Sequence, residues 1–400
     1  MKLAADKNKC CGCGACAQIC PKGAIIMIPD EDGFQYPTID MRKCIECGLC
    51  EKVCKYQKND TPKSAREVYA AVSGDTDIRQ SASGGIFASF AQAVIANGGA
   101  VYGCAMEYET GQLWARHICI TEPQNLIRLK GSKYVQSELG NTYPDILGRL
   151  AAGQLVLFSG TPCQVAGLKG YLRKEYENLF TLELICHGVP SGKLFRDYIA
   201  FEEKKRGRKI TGFRFRDKST GWKLHGALTL EDGETVQFEP EESSYYQMFL
   251  NSYTYRENCY SCPYASDCRP GDITIGDFWC IELVHPELLA ENGGPLEHEK
   301  GASCLIVNNE KGRLLLERYG NGIRKWVSSY ENASRYNRQL TASSVMKPER
   351  AEVMALSRED YEKVERWYRR RLRSIKIRRA IRAMVPRPVK NALKAIVNKR

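Results

Sequence analysis

From residue 67 onward the apolar positions switch between the two-residue period of strands and the longer period of helices. Glu67–Ser73 alternates as a short strand, and a charged loop, Asp75–Gln80, follows it. Ser83-Gly84-Gly85 opens an apolar helix that runs to Ala96. Ala100–Glu107 and Leu113–Thr121 read as strands joined by a turn around Glu109-Thr110-Gly111. A Gly-bounded segment from Gly131 to Ser137 precedes a helix from about Thr142 to Ala152. A strand–turn–helix unit comes next, with Leu155–Ser159 as strand, Gly160-Thr161-Pro162-Cys163 as turn and Gln164–Lys174 as helix. The unit repeats with Phe180–Ile185, the turn Cys186-His187-Gly188-Val189-Pro190-Ser191 and a helix over Lys193–Lys204. Two such units in succession predict parallel strands whose carboxyl ends lie side by side. Ile210–Arg216 is a further strand, and Leu224–Leu230 pairs with Thr235–Glu239 through Asp232-Gly233. Cys259-Tyr260-Ser261-Cys262 sits in a loop before a strand at Ile273–Ile275, and Cys304–Asn308 and Lys311–Tyr319 give a last strand and helix. The pattern predicts a mixed α/β domain over about residues 63–345.

The first 62 residues follow a different logic, set by cysteines. They read Cys10-x2-Cys13-x2-Cys16-x3-Cys20-Pro21 and then Cys44-x2-Cys47-x2-Cys50-x3-Cys54, the second run repeating the first at an offset of 34 residues. This is the known spacing of bacterial two-cluster ferredoxins, in which the fourth cysteine of each run ligates the other cluster. Cys10, Cys13, Cys16 and Cys54 are thus assigned to one 4Fe–4S centre, and Cys44, Cys47, Cys50 and Cys20 to the other. Cys11 is spare, and Lys55 stands where the first run has Pro21. A zinc site calls for two cysteine pairs and a longer loop. A disulfide framework calls for an oxidising compartment, and Met1–Cys10 has no export signal. The expected setting is a reducing cytoplasm.

Charge changes the picture only at the end of the chain. The net +12 arises from Arg366–Arg400, where fourteen Lys and Arg stand without an acid, so the other 365 residues sum to about −2. Ile377, Ile381, Met384 and Val385 share a helical face, as do Val389, Leu393, Ile396 and Val397 beyond Pro386 and Pro388. Residues 346–400 are therefore expected to form a basic amphipathic helical tail that contacts an anionic membrane surface, or else a solvated or partner-docking helix. Nucleic acid is an unsuitable partner, because no recognition fold accompanies the charge. Ser81–Met106 carries no charge over 26 residues, but its five glycines and the Asn97-Gly98-Gly99 break fit a buried helix and strand, not a membrane span.

Ten cysteines remain. Cys163 and Cys186 fall at equivalent points of the two strand–turn–helix units, where open α/β sheets bind ligands. With Cys259 and Cys262 they make four thiolates for a third centre, with Cys268 as a rival ligand; buried thiols plus a zinc clip are the alternative. Cys104, Cys119, Cys280 and Cys304 read as small core residues. Ser83-Gly84-Gly85 precedes a helix N-terminus, a place that favours phosphate. Lys133 and Gln136 read by composition as surface residues, or as a cation and an amide beside a flavin ring.

Together these segments resemble the coenzyme F-420 hydrogenase/dehydrogenase beta-subunit family of flavin and iron–sulfur oxidoreductases. The matching stretches are Ser83-Gly84-Gly85, Gly131 to Ser137, Gly160-Thr161-Pro162-Cys163-Gln164, Cys186 to Ser191, Phe215-Arg216-x-Lys218 with Gly221-Trp222, Cys259-x2-Cys262 and Asp272 to Trp279. They run in family order over about residues 66–310. The resemblance implies an α+β ferredoxin-like module (residues 1–62) followed by a mixed α/β flavin domain (63–345, with parts at about 66–145 and 150–320). It implies FAD held by the Ser-Gly-Gly and Gly-Ser-Lys segments, so the expected contacts are Ser83, Gly84, Gly85, Ser132, Lys133, Tyr134, Gln136, Ser137 and Thr161. It also implies a third 4Fe–4S centre on Cys163, Cys186, Cys259 and Cys262, and a catalytic role for Lys133 in stabilising the reduced flavin. The implied activity is electron passage between ferredoxin-type clusters and a flavin that acts on coenzyme F-420 or another small organic substrate, with ferredoxin or another redox protein as partner. Bacterial forms fused to ferredoxin look like those encoded among surface-polysaccharide genes. The alternative is an electron-transfer subunit serving a separate catalytic polypeptide.

Overall fold

The structure, a computed structural model, describes residue 3 and residues 6–58 and 67–384. The linker expected at Asn59-Asp60-Thr61-Pro62 and the apolar positions expected from Val385 to Val397 lie outside the described residues, as do the side chains of Ile377, Ile381 and Met384.

The cysteine repeat is also a backbone repeat. Short helices at Ala15–Gln18 and Leu49–Lys52 are each entered from a left-handed glycine, Gly14 and Gly48, both at φ 70°. Strands β1 (Ile25–Pro29) and β2 (Gln35–Ile39) pair antiparallel between them, Ile25 opposite Ile39. Gly12 at φ 70° has its counterpart 34 residues on in Glu46, which holds φ 51° without being glycine. Their surroundings differ. A Cβ on Gly12 would lie 2.8 Å from Gln136 Nε2 and 3.1 Å from Arg256 Nη1, whereas Glu46 is exposed. One half of the module is pressed against the rest of the chain; the other faces outward.

The body holds β3 (Glu67–Val72), β4 (Ala100–Glu109), β5 (Gln112–Ile120), β6 (Val156–Gly160), β7 (Leu179–Leu184), β8 (Ile210–Arg214), β9 (Gly226–Leu230), β10 (Thr235–Phe238), β11 (Ile273–Asp277), β12 (Ser303–Val307) and β13 (Arg324–Ser328). Eight form one sheet in the order β13-β3-β12-β11-β7-β6-β4-β5. Its centre, β11-β7-β6-β4, is parallel, and the flanking strands are antiparallel. All five residues of β6 are buried, as expected of a parallel strand covered on both faces. The β4–β5 hairpin turns on Thr110 (φ 49°) and Gly111 (φ 78°), the two positive φ values of a type I′ turn.

Alternate side chains of β6 go to opposite cores. Leu157 joins Phe90 and Val94 of helix Ile86–Ala96 and Leu315 of helix Glu310–Tyr319. Val156 and Phe158 join Tyr143 and Ile146 of helix Thr142–Ala151 and Leu168 of helix Pro162–Leu172. Ala15 and Val53 of the cysteine-rich module belong to that second core. The module docks on helix Pro162–Leu172 through two glycines. A Cβ on Gly167 would meet Cys13 Sγ at 2.9 Å, and one on Gly170 would meet the Val53 carbonyl at 2.2 Å. The Tyr143 N–H donates to Gln18 Oε1 (3.1 Å), and Tyr56 Oη donates to the Asn258 carbonyl (3.0 Å), across the same contact.

Two segments differ from the sequence expectation. Asp75–Gln80 is a short helix, not a loop. The region expected to be a peripheral tail from residue 346 starts as part of the body, in helices Glu349–Glu359 and Tyr361–Met384. Val353, Tyr361 and Val364 are buried against Tyr198 and Ile199 of helix Gly192–Arg206. Basic composition hid this seam, because charge counts say nothing about which face of a helix is apolar. Among the described residues no helix is long and apolar enough to cross a membrane.

Candidate functional site

The carboxyl ends of the parallel strands carry the chemistry. Just past β6, Thr161 caps helix Pro162–Leu172 in a reciprocal box with Gln164, whose Oε1 accepts from the Thr161 N–H at 3.0 Å. That cap fixes Cys163 in the first turn. Two residues past β7 comes Cys186, in an extended loop that ends at Ser191, the cap of helix Gly192–Arg206. A 3₁₀ turn at Glu257–Ser261 brings in Cys259 and, one residue on, Cys262. All four line one small cavity with Cys11, Arg256 and Arg269; Cys268 does not line it. Burial pushes the Cys186 and Cys262 thiols up to about 12 and Cys259 well above its usual value. The Cys11 S–H bond to Cys163 brings that thiol down to about 7. Four buried thiols around a void form a donor set that fits a thiolate-bound iron–sulfur cluster.

The N-terminal cysteines form two further groups. Cys20, Cys44, Cys47 and Cys50 ring a small void with Pro21, Ile25, Ile45 and Leu49, and Cys47 is exposed. Cys16 lies within the fields of Cys13, Cys10 and Cys54, which together with burial drive its thiol far up. Cys11, buried between the groups, hydrogen-bonds both Cys13 and Cys163. Cys13, Cys54, Cys163 and Cys262 pack around the same cluster of Cys11, Tyr56, Ala166 and Tyr264. The inner N-terminal group and the strand-end group therefore abut. Among the described residues no three His, Cys, Asp or Glu side chains close on a point as the ligands of one ion do.

A second cavity, of about 510 Å³, opens directly from the strand-end cysteines, which is ample for a cofactor. Cys163, Cys186 and His187 line both cavities. Of the expected flavin contacts, Ser83, Gly85, Ser132, Lys133, Tyr134, Gln136, Ser137 and Thr161 line the large one. Gly84 is not among its lining residues. It packs behind the wall, where its N–H donates to Ser303 Oγ (2.9 Å) and a Cβ would strike the Ala71 carbonyl at 2.5 Å. The Ser83 hydroxyl is engaged too, donating to the Ala302 carbonyl at 2.8 Å.

Lys133 is fully occupied. Its Nζ donates to the carbonyls of Arg128 (3.3 Å), Leu129 (3.0 Å) and Lys130 (2.8 Å), capping helix Leu126–Leu129, and burial lowers its pKa to about 8. Lys218 does the same across the cavity, donating to the carbonyls of Ile78 (2.7 Å), Ser83 (2.8 Å) and Lys300. Both lysines clamp wall loops. Nearby, Asp277 accepts from Arg216 Nη1 (2.9 Å) and Trp222 Nε1 (2.9 Å), with Trp222 stacked on Trp279.

Sequence reading missed His117, on β5, and His187. His117 Nε2 faces the Ser159 carbonyl at 3.1 Å, which can only accept, so that nitrogen carries the proton. Nδ1 is then an acceptor for the Ser137 hydroxyl (3.0 Å), and Ser137 in turn accepts from Gln164 Nε2 (2.9 Å). Burial lowers His117 to about 4, so the ring is neutral at pH 7. The chain Thr161–Gln164–Ser137–His117 ties the cysteine-bearing helix to the cavity wall.

Comparison with known proteins fits this architecture. Residues 153–331 match the family described as the C terminus of the coenzyme F420 hydrogenase/dehydrogenase beta subunit. Residues 9–58 match the "4Fe-4S dicluster domain". The chain carries an F420 hydrogenase/dehydrogenase beta-subunit domain fused to a 4Fe–4S dicluster domain. This beta-subunit relative is an electron-transfer iron–sulfur protein. A 36-residue stretch, 9% of the chain, is 44% identical to an uncharacterized ferredoxin of Methanocaldococcus jannaschii and covers 47% of it, about half the length of that relative. Among solved structures, a chain from the xenon-derivatized F420-reducing NiFe hydrogenase complex of Methanosarcina barkeri is 14% identical, with a TM-score of 0.40, over 76% of this chain and 91% of that one.

Proposed function

We propose that this beta-subunit relative is an iron–sulfur flavoprotein oxidoreductase. It passes electrons between ferredoxin-type 4Fe–4S clusters and FAD in the large cavity, where a deazaflavin coenzyme or another small organic substrate is reduced or oxidised. The observation that carries this reading is the shared wall: Cys163 and Cys186 line both the cysteine cavity and the cofactor-sized one. Clusters supply one-electron steps and a flavin exchanges one or two. Cys10, Cys13, Cys16 and Cys54 are assigned the inner N-terminal cluster, Cys20, Cys44, Cys47 and Cys50 the outer one, and Cys163, Cys186, Cys259 and Cys262 the third. The N–H groups at the start of helix Ile86–Ala96, beside Gly85, are assigned the flavin phosphates. Lys133 holds its loop and contributes positive charge near the ring, but its protons are already placed on carbonyls. The ferredoxin unit is assigned to about residues 1–62, and the flavin unit extends into the packed helices past residue 346.

The test is iron and flavin analysis of the anaerobically purified chain, with Cys262→Ala beside it. The expected result is about twelve iron atoms and one flavin per chain, falling to about eight iron in the variant. The variant is expected to keep flavin reduction by a two-electron donor and to lose rapid exchange between flavin and N-terminal clusters in stopped-flow. Eight iron atoms in the wild type would remove the third cluster; unimpaired exchange in a variant lacking it would remove the relay. A subunit serving a separate catalytic polypeptide is the second reading, favoured by Met41 and Ile45, each 57% exposed near the outer cysteine ring. Turnover of a small-molecule acceptor by the isolated chain separates the two.

A further inference from the structure

Arg256 is 0% exposed, three residues before Cys259, yet its guanidinium lies inside the ferredoxin module. Nε donates to the Cys10 carbonyl (2.8 Å), and Nη2 donates to the Gln35 carbonyl (3.0 Å) and reaches Cys10 Sγ (3.6 Å). The group lies over the Tyr36 ring, 3.9 Å from its centroid. Its backbone N–H donates to the Val189 carbonyl (2.9 Å), in the loop that carries Cys186. Nη1 is buried without a hydrogen-bond partner, and among the described residues no carboxylate forms an ion pair with Arg256. An arginine stays charged, and a buried charge left unpaired is costly. The compensating anion is absent from the side-chain inventory. A cubane on four thiolates supplies it, with a net charge of about −2 oxidised and about −3 reduced.

We propose that Arg256 is the buried counter-charge of the cluster held by Cys10, a positioning residue that raises that cluster's reduction potential while pinning the ferredoxin module to the third-cluster loop. The inference rests on the cluster assignments above. In the redox step one electron enters from an external low-potential reductant and no proton accompanies it, so the whole added negative charge is felt by the guanidinium. The outer cluster has no such partner: the position equivalent to Gly12, which crowds Arg256 Nη1, is the exposed Glu46.

The experiment is an EPR-monitored redox titration of the anaerobic full-length chain, its Arg256→Gln variant and its Arg256→Lys variant, each with an iron count. Arg256→Gln is expected to keep its iron and to show one N-terminal signal made at least tenfold harder to reduce, 59 mV for one electron. The other N-terminal signal is expected to stay in place, and Arg256→Lys, which keeps the charge, to stay within tenfold of wild type. An unshifted Gln variant with full iron overturns the proposal, since a purely structural pin would leave the potential alone. If the Gln variant loses iron, Arg256→Lys decides: an unshifted potential supports the counter-charge, and a tenfold negative shift with the charge retained overturns it. Fewer than eight iron atoms in the wild type removes the cluster reading itself, and the proposal with it.

Discussion

The docking of the ferredoxin module on helix Pro162–Leu172 yields a prediction in which one substitution has opposite signs at two places. Gly148 and Gly170 both lie in helices, and replacing glycine by alanine in a helix stabilises by roughly 1 kcal/mol. At Gly148 a Cβ meets nothing within 4 Å, so Gly148→Ala is expected to realise about that gain. At Gly170 the new methyl would sit 2.2 Å from the Val53 carbonyl and 3.0 Å from Lys55 Cγ. The nearer atom is backbone, held by the helix that carries Cys50, and cannot swing aside. Relief requires the module to retreat by about 1 Å, and overpacking of this kind costs about 1–3 kcal/mol. The propensity gain offsets only part of that, so Gly170→Ala is expected to be less stable than Gly148→Ala by about 1–3 kcal/mol. Thermal unfolding of the holo-chain, followed both by cluster absorbance and by far-UV circular dichroism, measures it. The cluster signal of Gly170→Ala should be lost at a lower temperature than in the wild type, and that of Gly148→Ala should not. If Gly170→Ala is stabilised as much as Gly148→Ala, the module does not dock on this helix.

Two further outcomes are expected. His117 has a folded pKa of about 4 against an ordinary 6.5, so between those values the unfolded chain binds more protons, and stability present above pH 6.5 is lost as pH falls toward 4. The loss is on the order of 3 kcal/mol, and denaturant titrations at pH 6.5 and 4.5 should show a smaller acid loss in His117→Gln. A chain ending at Tyr361 gives up the buried Val364 and Tyr368 and should be about 3–5 kcal/mol less stable than one ending at Ser374, which keeps both; equal denaturation midpoints would mean that the helix does not pack as described.

The cysteine ring was legible because its information is local: spacing alone says which sulfurs reach one point. The strand-end positions of Cys163 and Cys186 were legible for a similar reason, since two short apolar runs followed by capped helices leave little choice but adjacent parallel strands. Lys133 shows where local reading ends. Its motif drew attention to a cation, but the fate of its three protons depends on a helix that stops at Leu129, a boundary with no strong signal in the sequence. His117 was hidden in a strand whose alternation marks it only as inward-facing. Arg256 is one of many arginines, and nothing beside it announces a destination some 246 residues back along the chain at Cys10. The packed start of the C-terminal helices was masked by the charge of the residues that follow.

The uneven halves of the duplicated module have a consequence for how such a protein changes partners. Gly12 admits no side chain because Gln136 and Arg256 fill the space, while the matching loop at Glu46 already tolerates a charged residue in the same strained conformation. The module is thus a plug with one moulded end and one plain end. Drift or design on the plain end alters which donor it greets and leaves the seating untouched, so the same flavin chemistry can be re-addressed to new electron sources by surface substitution alone.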